Sequence, residues 1–305
     1  MKAFQLQPLY ETIRRGGKAW YPLGPRVLWR VTGKDGLRYL HGQLTRDILN
    51  QPPGTACYAL ALTPKGKLEA ECTVCRGIAG ELWVEAPWEL KEVLQKRWEK
   101  FLVADEVLFE ECSLAWSLIH CFGSEPPVLS SNFLCWESRR LGLPGWDLWV
   151  PVGELEKLSV DLPQVPEPLW ETLRSEMGIG RWGKELGPDL LPQEARLERY
   201  AIDFRKGCYV GQEVVSRLAY VGRVHRVLSL LAWQGEEGEP SEPVHFARED
   251  TTPLKSTSLA YSFALNRFIA LAFLPVIHSE PGTRYHSPYG PWQVIEFPAQ
   301  LQPFP

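Results

Sequence analysis

The clearest helical period in this chain of 305 residues is WELKEVLQKRWEKF, Trp88 to Phe101, and nearly everything around it reads as strand. Leu90, Val93, Leu94, Trp98 and Phe101 recur at the spacing of one helix face, and Glu92 with Lys96 makes an i,i+4 ion pair. Upstream, RVLWRVTGKDGLRYLHGQLTRDIL predicts a strand over Arg26 to Val31, a turn, and a helix with Asp35 as N-cap and Leu37, Leu40 and Leu44 on one face. CYALALTPKGKLEAECTVC predicts a β-hairpin turning at Pro64-Lys65-Gly66, with the glycine supplying the unusual dihedral and ELWVEA as the next strand. DEVLFEE and LAWSLIHCF follow as strands. Strand, strand, helix, strand in this order implies an α+β architecture in which helices cover one face of an antiparallel sheet.

The texture changes twice further on. LEKLSVDLPQVPEPLWETLRSEMG passes through a proline-rich connection into a helix around Leu169 to Met177. Beyond Arg217, HRVLSLLAW, VHFARE, SLAYSF, FIALAFL and WQVIEF are short runs separated by Gly- and Pro-rich turns, the spacing of a small all-β barrel or sandwich. A chain of this length fits two or three domains.

Lys plus Arg number 33 against 37 for Asp plus Glu, a net charge of −4, so no global field favours nucleic acid, and direct binding to it is not expected. MKAFQLQPLYETIRRGGKAW has no apolar h-region, and FIALAFLPVI is half the length of a membrane span, so the expectation is a cytoplasmic protein without a membrane partner. Seven scattered cysteines imply reduced thiols. Cys72 and Cys75 form a CxxC on a strand, where residues three apart face opposite ways, which argues against a redox or metal pair. The six histidines show no ligand spacing with a Cys or Glu, so no structural zinc is expected.

One stretch stands apart, DFRKGCYVGQEVVSRL. Gly207 and Gly211 bracket Cys208, Arg205 and Lys206 precede it, and a short helix is expected to begin near Gly211 with Val214, Val215 and Leu218 turned inward. A thiol before a helix start and beside two cations is in a setting that favours the thiolate. The alternative is a small buried hydrophobe between two turn glycines. A phosphate loop is excluded, because Gln212-Glu213 follows Gly211 where Lys-Ser or Lys-Thr is required.

KGCYVGQE, with LPQEARLE and LRSEMGIGRWGKEL before it, resembles the signature of the YgfZ-type folate-binding proteins, relatives of the glycine-cleavage aminomethyltransferase, the T-protein. VTGKDGLRYLHGQLTRDI is similar to that family's N-terminal motif and LTPKGKLEAECTV to its central hairpin, so the resemblance runs over roughly Arg26 to Leu230. It implies a multi-domain ring around a central cavity: an α+β domain from 1–57 and 113–216, an inserted α+β domain at 58–112, and a C-terminal β-barrel at 217–305. It also implies binding of tetrahydrofolate, and a role in assembling or repairing iron–sulfur proteins, including tRNA-methylthiolating enzymes, with those proteins and cluster carriers as partners of a monomer.

Residue by residue, the resemblance gives Glu176 the place of the folate-contacting glutamate, since a carboxylate accepts two parallel hydrogen bonds from a pterin edge. Lys206, Gly207, Tyr209, Gly211, Gln212 and Glu213 fall in the signature around Cys208, the candidate reactive group. Arg217 or Arg223 can fork the carboxylates of a folate tail. Where the T-protein hairpin carries an acidic pair, this chain has Ala70-Glu71. One acid is absent and the other longer, which disfavours aminomethyl transfer, because a displacement near ~1 Å can cost on the order of 100-fold in rate; Glu71 either points into the cavity or is an exposed strand acid. Iron–sulfur clusters take about four thiolates, so this chain alone is not expected to hold one. Three readings remain: an accessory factor acting through Cys208 near a folate, a one-carbon transferase, and a docking scaffold.

Overall fold

In the computed structural model, which describes residues 3–127, 133–154, 162–220, 222–236, 238–248 and 252–297, the chain begins with α1 (Ala3–Arg14), β1 (Ala19–Pro22), β2 (Arg26–Thr32) and α2 (Gly36–Gln43). The hairpin follows as β3 (Thr55–Leu62) and β4 (Leu68–Arg76), then β5 (Leu82–Pro87), α3 (Lys91–Phe101), β6 (Leu108–Glu111), β7 (Trp116–Phe122), β8 (Leu134–Glu137) and β9 (Gly145–Pro151). These strands form one nine-stranded sheet in the order β1-β7-β9-β8-β3-β4-β5-β2-β6. Only β3 and β8 run parallel, joined at Thr55 and Glu137, so the sheet is two antiparallel halves meeting at a narrow seam.

The helix face read from WELKEVLQKRWEKF covers the β2–β5 half: Leu90, Leu94 and Trp98 are buried against Val27, Ala61, Ala70 and Val74, with Val93 and Phe101 packed beside them. Asp35 precedes α2 as expected but makes no side-chain cap bond; its Oδ2 accepts from the backbone N–H of Glu106 at 2.9 Å instead. Leu44 lies one residue past the helix and is buried with Leu40. α1 was not read from the sequence. Pro8 lies inside it and its register shows only once Leu6, Tyr10 and Ile13 meet their partners, Phe122 and the Leu169, Trp170 and Leu173 face of α4 (Glu167–Met177). The start of the proline-rich connection, 155–161, lies outside the described residues.

After α5 (Gln212–Tyr220) come β10 (Arg226–Trp233), β11 (His245–Phe246), β12 (Leu254–Lys255), β13 (Ser258–Ser262), β14 (Arg267–Pro275), β15 (Arg284–Ser287) and β16 (Gly290–Ile295). The region expected as a barrel is an antiparallel five-stranded sheet, β13-β14-β10-β16-β15, with β11 and β12 as a separate ribbon bridged to β15 through Ala247 and His286. Among the described residues the edge strands β13 and β15 do not pair with each other. No described helix is long and apolar enough to cross a membrane. Cys72 and Cys75 face opposite cores, as the strand period requires.

A chain of charge runs through the sheet where its halves meet. Glu85 on β5 accepts from Arg26 Nε at 2.7 Å and from Arg140 Nη2 at 2.6 Å, Arg140 Nε donates to Asp147 on β9 at 2.9 Å, and His120 Nδ1 on β7 lies 2.8 Å from the same oxygen. Glu85, Asp147 and His120 are fully buried, so each relies on these contacts in place of water. Burial pushes the Asp147 carboxyl up, but Arg140 and His120 more than offset it and hold it at about 2. Arg140→Met leaves two buried carboxylates short of a partner, and urea unfolding should show a loss of roughly 3–5 kcal/mol. Since the folded value of Asp147 lies below that of the unfolded chain, its contribution is present above about pH 4 and lost as pH falls toward about 2. Wild type should therefore lose stability more steeply than Arg140→Met across that window.

Candidate functional site

Alternation along the central hairpin sends Ala70, Cys72 and Val74 of β4 into the helix-covered core and turns Glu71 and Thr73 to the opposite face. There they line a cavity of about 410 Å³ with Tyr58 of β3, the 21–26 segment, the 138–141 segment, α4 and the 179–182 turn. Its flat wall is Tyr21 stacked on Trp170, with ring centroids 4.0 Å apart and planes within 6°. Five arginines reach the lining, and four are held by acids. Arg26 and Arg140 are bound by Glu85 and Asp147 as described. Arg174 Nη1 donates to Glu185 at 2.9 Å and its Nη2 to Glu171 at 2.8 Å. Arg181 Nη1 donates to Glu167 at 2.8 Å and Glu171 at 3.1 Å. Burial would raise Glu171, but the hydrogen bond from Arg174 and the charges of Arg174 and Lys184 bring it down to about 2. Arg139, at the mouth, is 3.9 Å from Glu137.

Of the lining acids Glu71, Glu89 and Glu167, Glu71 alone is buried, the other two being exposed. The hydrogen bond to Glu71 comes from Tyr58 Oη at 2.5 Å, with no cation in an ion pair. Burial raises its carboxyl above the ordinary range, and Tyr58 and the more distant Arg26 only partly counter that. Of the two alternatives for Glu71, the cavity-facing one is observed. Chemically the cavity offers an aromatic wall, a set of arginines already neutralised, and one desolvated carboxyl with acceptor capacity to spare. Sequence reasoning missed Tyr58, Arg26, Arg140 and Trp170. Only Tyr58 left a signal, lying on the same strand face as Glu71 in a hairpin of known register.

The remaining candidates lie elsewhere. Glu176 does not line this cavity: Tyr10 Oη donates to Oε2 at 2.8 Å, while Ser262 Oγ at 2.6 Å and the N–H of Ala264 at 3.4 Å donate to Oε1. It ties α1, α4 and the C-terminal sheet together through three donors on its two oxygens. Arg174 is structural, bridging Glu171, Glu185 and Ser258 Oγ.

The signature loop packs on the turn of the same hairpin. Gly211, at φ +86°, has room for no Cβ, which would sit 2.6 Å from Thr63 O; a Cβ on Gly66 would sit 2.7 Å from Val214 Cβ. The two glycines therefore let the hairpin turn and the start of α5 interlock. α5 begins at Gln212, as read from the sequence, with Val215 buried and Glu213 and Arg217 exposed. Arg223 is exposed as well. Gly207 and Cys208 are exposed and Tyr209 is buried, so Cys208 is not the core filler of the alternative reading. Lys206 does not project beside the thiol as expected. It is buried, donates Nζ to His41 O and Leu44 O at 2.5 Å each, and lies 5.0 Å from the Tyr209 ring. Burial lowers it to about 8. Among the described residues no group of three or more His, Cys, Asp or Glu is placed to hold a metal ion.

Exposure separates Cys208 from the other thiols. With a limiting alkylating reagent, peptide mass mapping should find Cys208 modified first in the native protein, and Cys72, Cys75 and Cys121, all buried, only after unfolding. Protection of Cys208 in the native state would contradict this placement.

No family model matches the chain. It is 23% identical over 218 residues to an uncharacterized protein of Haemophilus influenzae, covering 69% of this chain and 72% of that one. It is 27% identical over 228 residues to the tRNA-modifying protein YgfZ of Klebsiella pneumoniae, covering 68% and 69%. The crystal structure of the glycine cleavage system aminomethyltransferase T from Bartonella henselae superposes with a TM-score of 0.81 at 18% identity, over 97% of this chain and 90% of that one. The fold is that of aminomethyltransferase T, and over about two thirds of its length the chain is similar in sequence to a YgfZ protein.

Proposed function

We propose that this protein binds a reduced folate, tetrahydrofolate or a derivative, in the 410 Å³ cavity, and serves through the Cys208 loop as an accessory factor for iron–sulfur proteins, among them tRNA-methylthiolating enzymes. The observation that carries the reading is Glu71. It is a buried acid with one protein donor, in a cavity whose other charges are largely neutralised. Such a site favours a flat ligand that brings its own N–H donors over one that brings only negative charge. The cavity lies within the ~300–1,000 Å³ range of small-molecule sites, and the Tyr21–Trp170 stack supplies a flat wall for a ring system. The iron–sulfur half of the proposal rests on the exposed Cys208 in its motif and on the relative whose name is tRNA-modifying protein. In this reading a partner supplies the remaining cluster ligands. The ring of domains at 1–57 with 113–216, 58–112 and 217–305, and closure of the last into a barrel, belong to the same proposal. Against aminomethyl transfer, Ala70 is buried in the opposite core, so the hairpin brings one acid to the cavity at the 70–71 pair.

Calorimetric titration of tetrahydrofolate tests the first half. Wild type should bind saturably, and Glu71→Gln should bind more weakly by ~1.5–3 kcal/mol, the worth of a hydrogen bond to a charged group. Because the carboxyl is raised in the free protein and must ionise to accept two N–H donors, affinity should fall as pH drops through that raised value. Absence of saturable binding by wild type would overturn the folate reading. For the second half, Cys208→Ala should fold and still bind folate, yet fail to restore tRNA methylthiolation in cells lacking the protein; full complementation would end the role given to the thiol.

A further inference from the structure

A second cleft, about 390 Å³, opens where the LPQEARLE segment meets the C-terminal sheet. Arg196 and Arg199 form one wall, Ser229 of β10 and Ser279 line it with hydroxyls that donate to Val227 O and Val276 O, and Phe297 supplies an aromatic surface. The Arg196 guanidinium lies 5.7 Å from the Phe297 ring centroid and that of Arg199 5.9 Å from the same centroid. The ring is itself fixed: it sits on Gly178, the left-handed residue that ends α4, where a Cβ would come 2.3 Å from Phe297 Cε1.

Two like charges gathered on one ring repel each other unless something neutralises them. Arg196 Nε donates to Leu228 O at 2.8 Å, a neutral partner, and neither arginine is in an ion pair among the described residues. The carboxylates at hand are Glu198 and Glu296. Burial raises the Glu198 carboxyl, with the charges of Arg196 and Arg199 partly countering it; it forms no ion pair with either arginine, and its Oε2 has no hydrogen-bond partner; Glu296 is exposed at the cleft edge. Arg196 also adopts a left-handed backbone, φ 57° and ψ 26°, which glycine takes without cost and arginine does not. That local conformation sets the first guanidinium into the cleft beside the second. This contrasts with the folate cavity, where nearly every arginine has its acid.

We propose that this cleft binds the dianionic phosphate group of a phosphate monoester. Such a group concentrates nearly two negative charges and three acceptor oxygens at one point, matching two planar guanidinium forks, whereas two carboxylates would have to be spaced to fit. The Phe297 ring gives the rest of the ligand an apolar surface to lie against. The inference stands on residues that the folate proposal does not use.

The test titrates inorganic phosphate, adenosine 5′-monophosphate and an oligoribonucleotide lacking terminal phosphates into the full-length protein, following heat and the shift in Tm, with chloride as the control anion. Inorganic phosphate and the nucleotide should bind saturably and raise Tm, and their affinity should fall with ionic strength. Arg199→Gln and Arg196→Gln should each weaken binding by roughly 10- to 100-fold. Since the Arg199 side chain is exposed, Arg199→Gln should keep the unliganded Tm and unchanged tetrahydrofolate binding, which separates failure here from failure of the folate reading. No saturable binding of either phosphate by wild type, equal binding by Arg199→Gln, or preference for the oligoribonucleotide over the nucleotide would each overturn the proposal.

Discussion

Everything at the centre of this molecule depends on how buried charge is compensated. Where the two halves of the large sheet meet, Arg26, Glu85, Arg140, Asp147 and His120 form a continuous chain with little water to share it. An unpaired charge there would cost several kcal/mol, so each group needs its neighbour in place and the two halves of the sheet are held in fixed relation. The same compensation shapes the cavity above. Its arginines are held by Glu85, Asp147, Glu171, Glu167 and Glu185, which leaves Glu71 to meet whatever enters. A cavity dense in arginine therefore has most of its positive charge already paired.

The hairpin that carries Glu71 also carries the contact that binds the signature loop. Gly66 and Gly211 each clear the space the other's element needs, so the strand reaching into the cavity and the helix following Cys208 meet at one rigid point. Lys206 fastens the loop from beneath, on the carbonyls of His41 and Leu44 at the end of α2. The thiol is exposed, and its supports are buried. Lys206 of the motif is thus a structural residue that fixes the loop carrying the thiol.

Much of the local structure was legible. The amphipathic face of α3, the hairpin turn at Gly66, the helix start at Gln212 and the opposed Cys72 and Cys75 all follow from period and turn chemistry, because those rules act between residues close in the chain. α1 was not legible, since Pro8 interrupts its pattern and its apolar face has meaning only against α4. Which of Glu176 and Glu71 lines the cavity was not legible either. A carboxylate on a helix and one on a strand look alike in a sequence, and their partners, Tyr10 and Ser262 in one case and Tyr58 in the other, are brought by different elements.

The sequence by itself determined the alternation that turns Glu71 away from the helix-covered core, the glycines that permit the loop, and the motif order shared with YgfZ-type proteins. It could not determine which charges are neutralised. That depends on contacts such as Arg26 with Glu85, Arg140 with Glu85, and Arg196 with Phe297, made between segments tens to about a hundred residues apart and closed only when sheets and helices pack. A side chain's charge is written in the chain, but whether that charge is available to a ligand is decided by the neighbours that tertiary structure supplies.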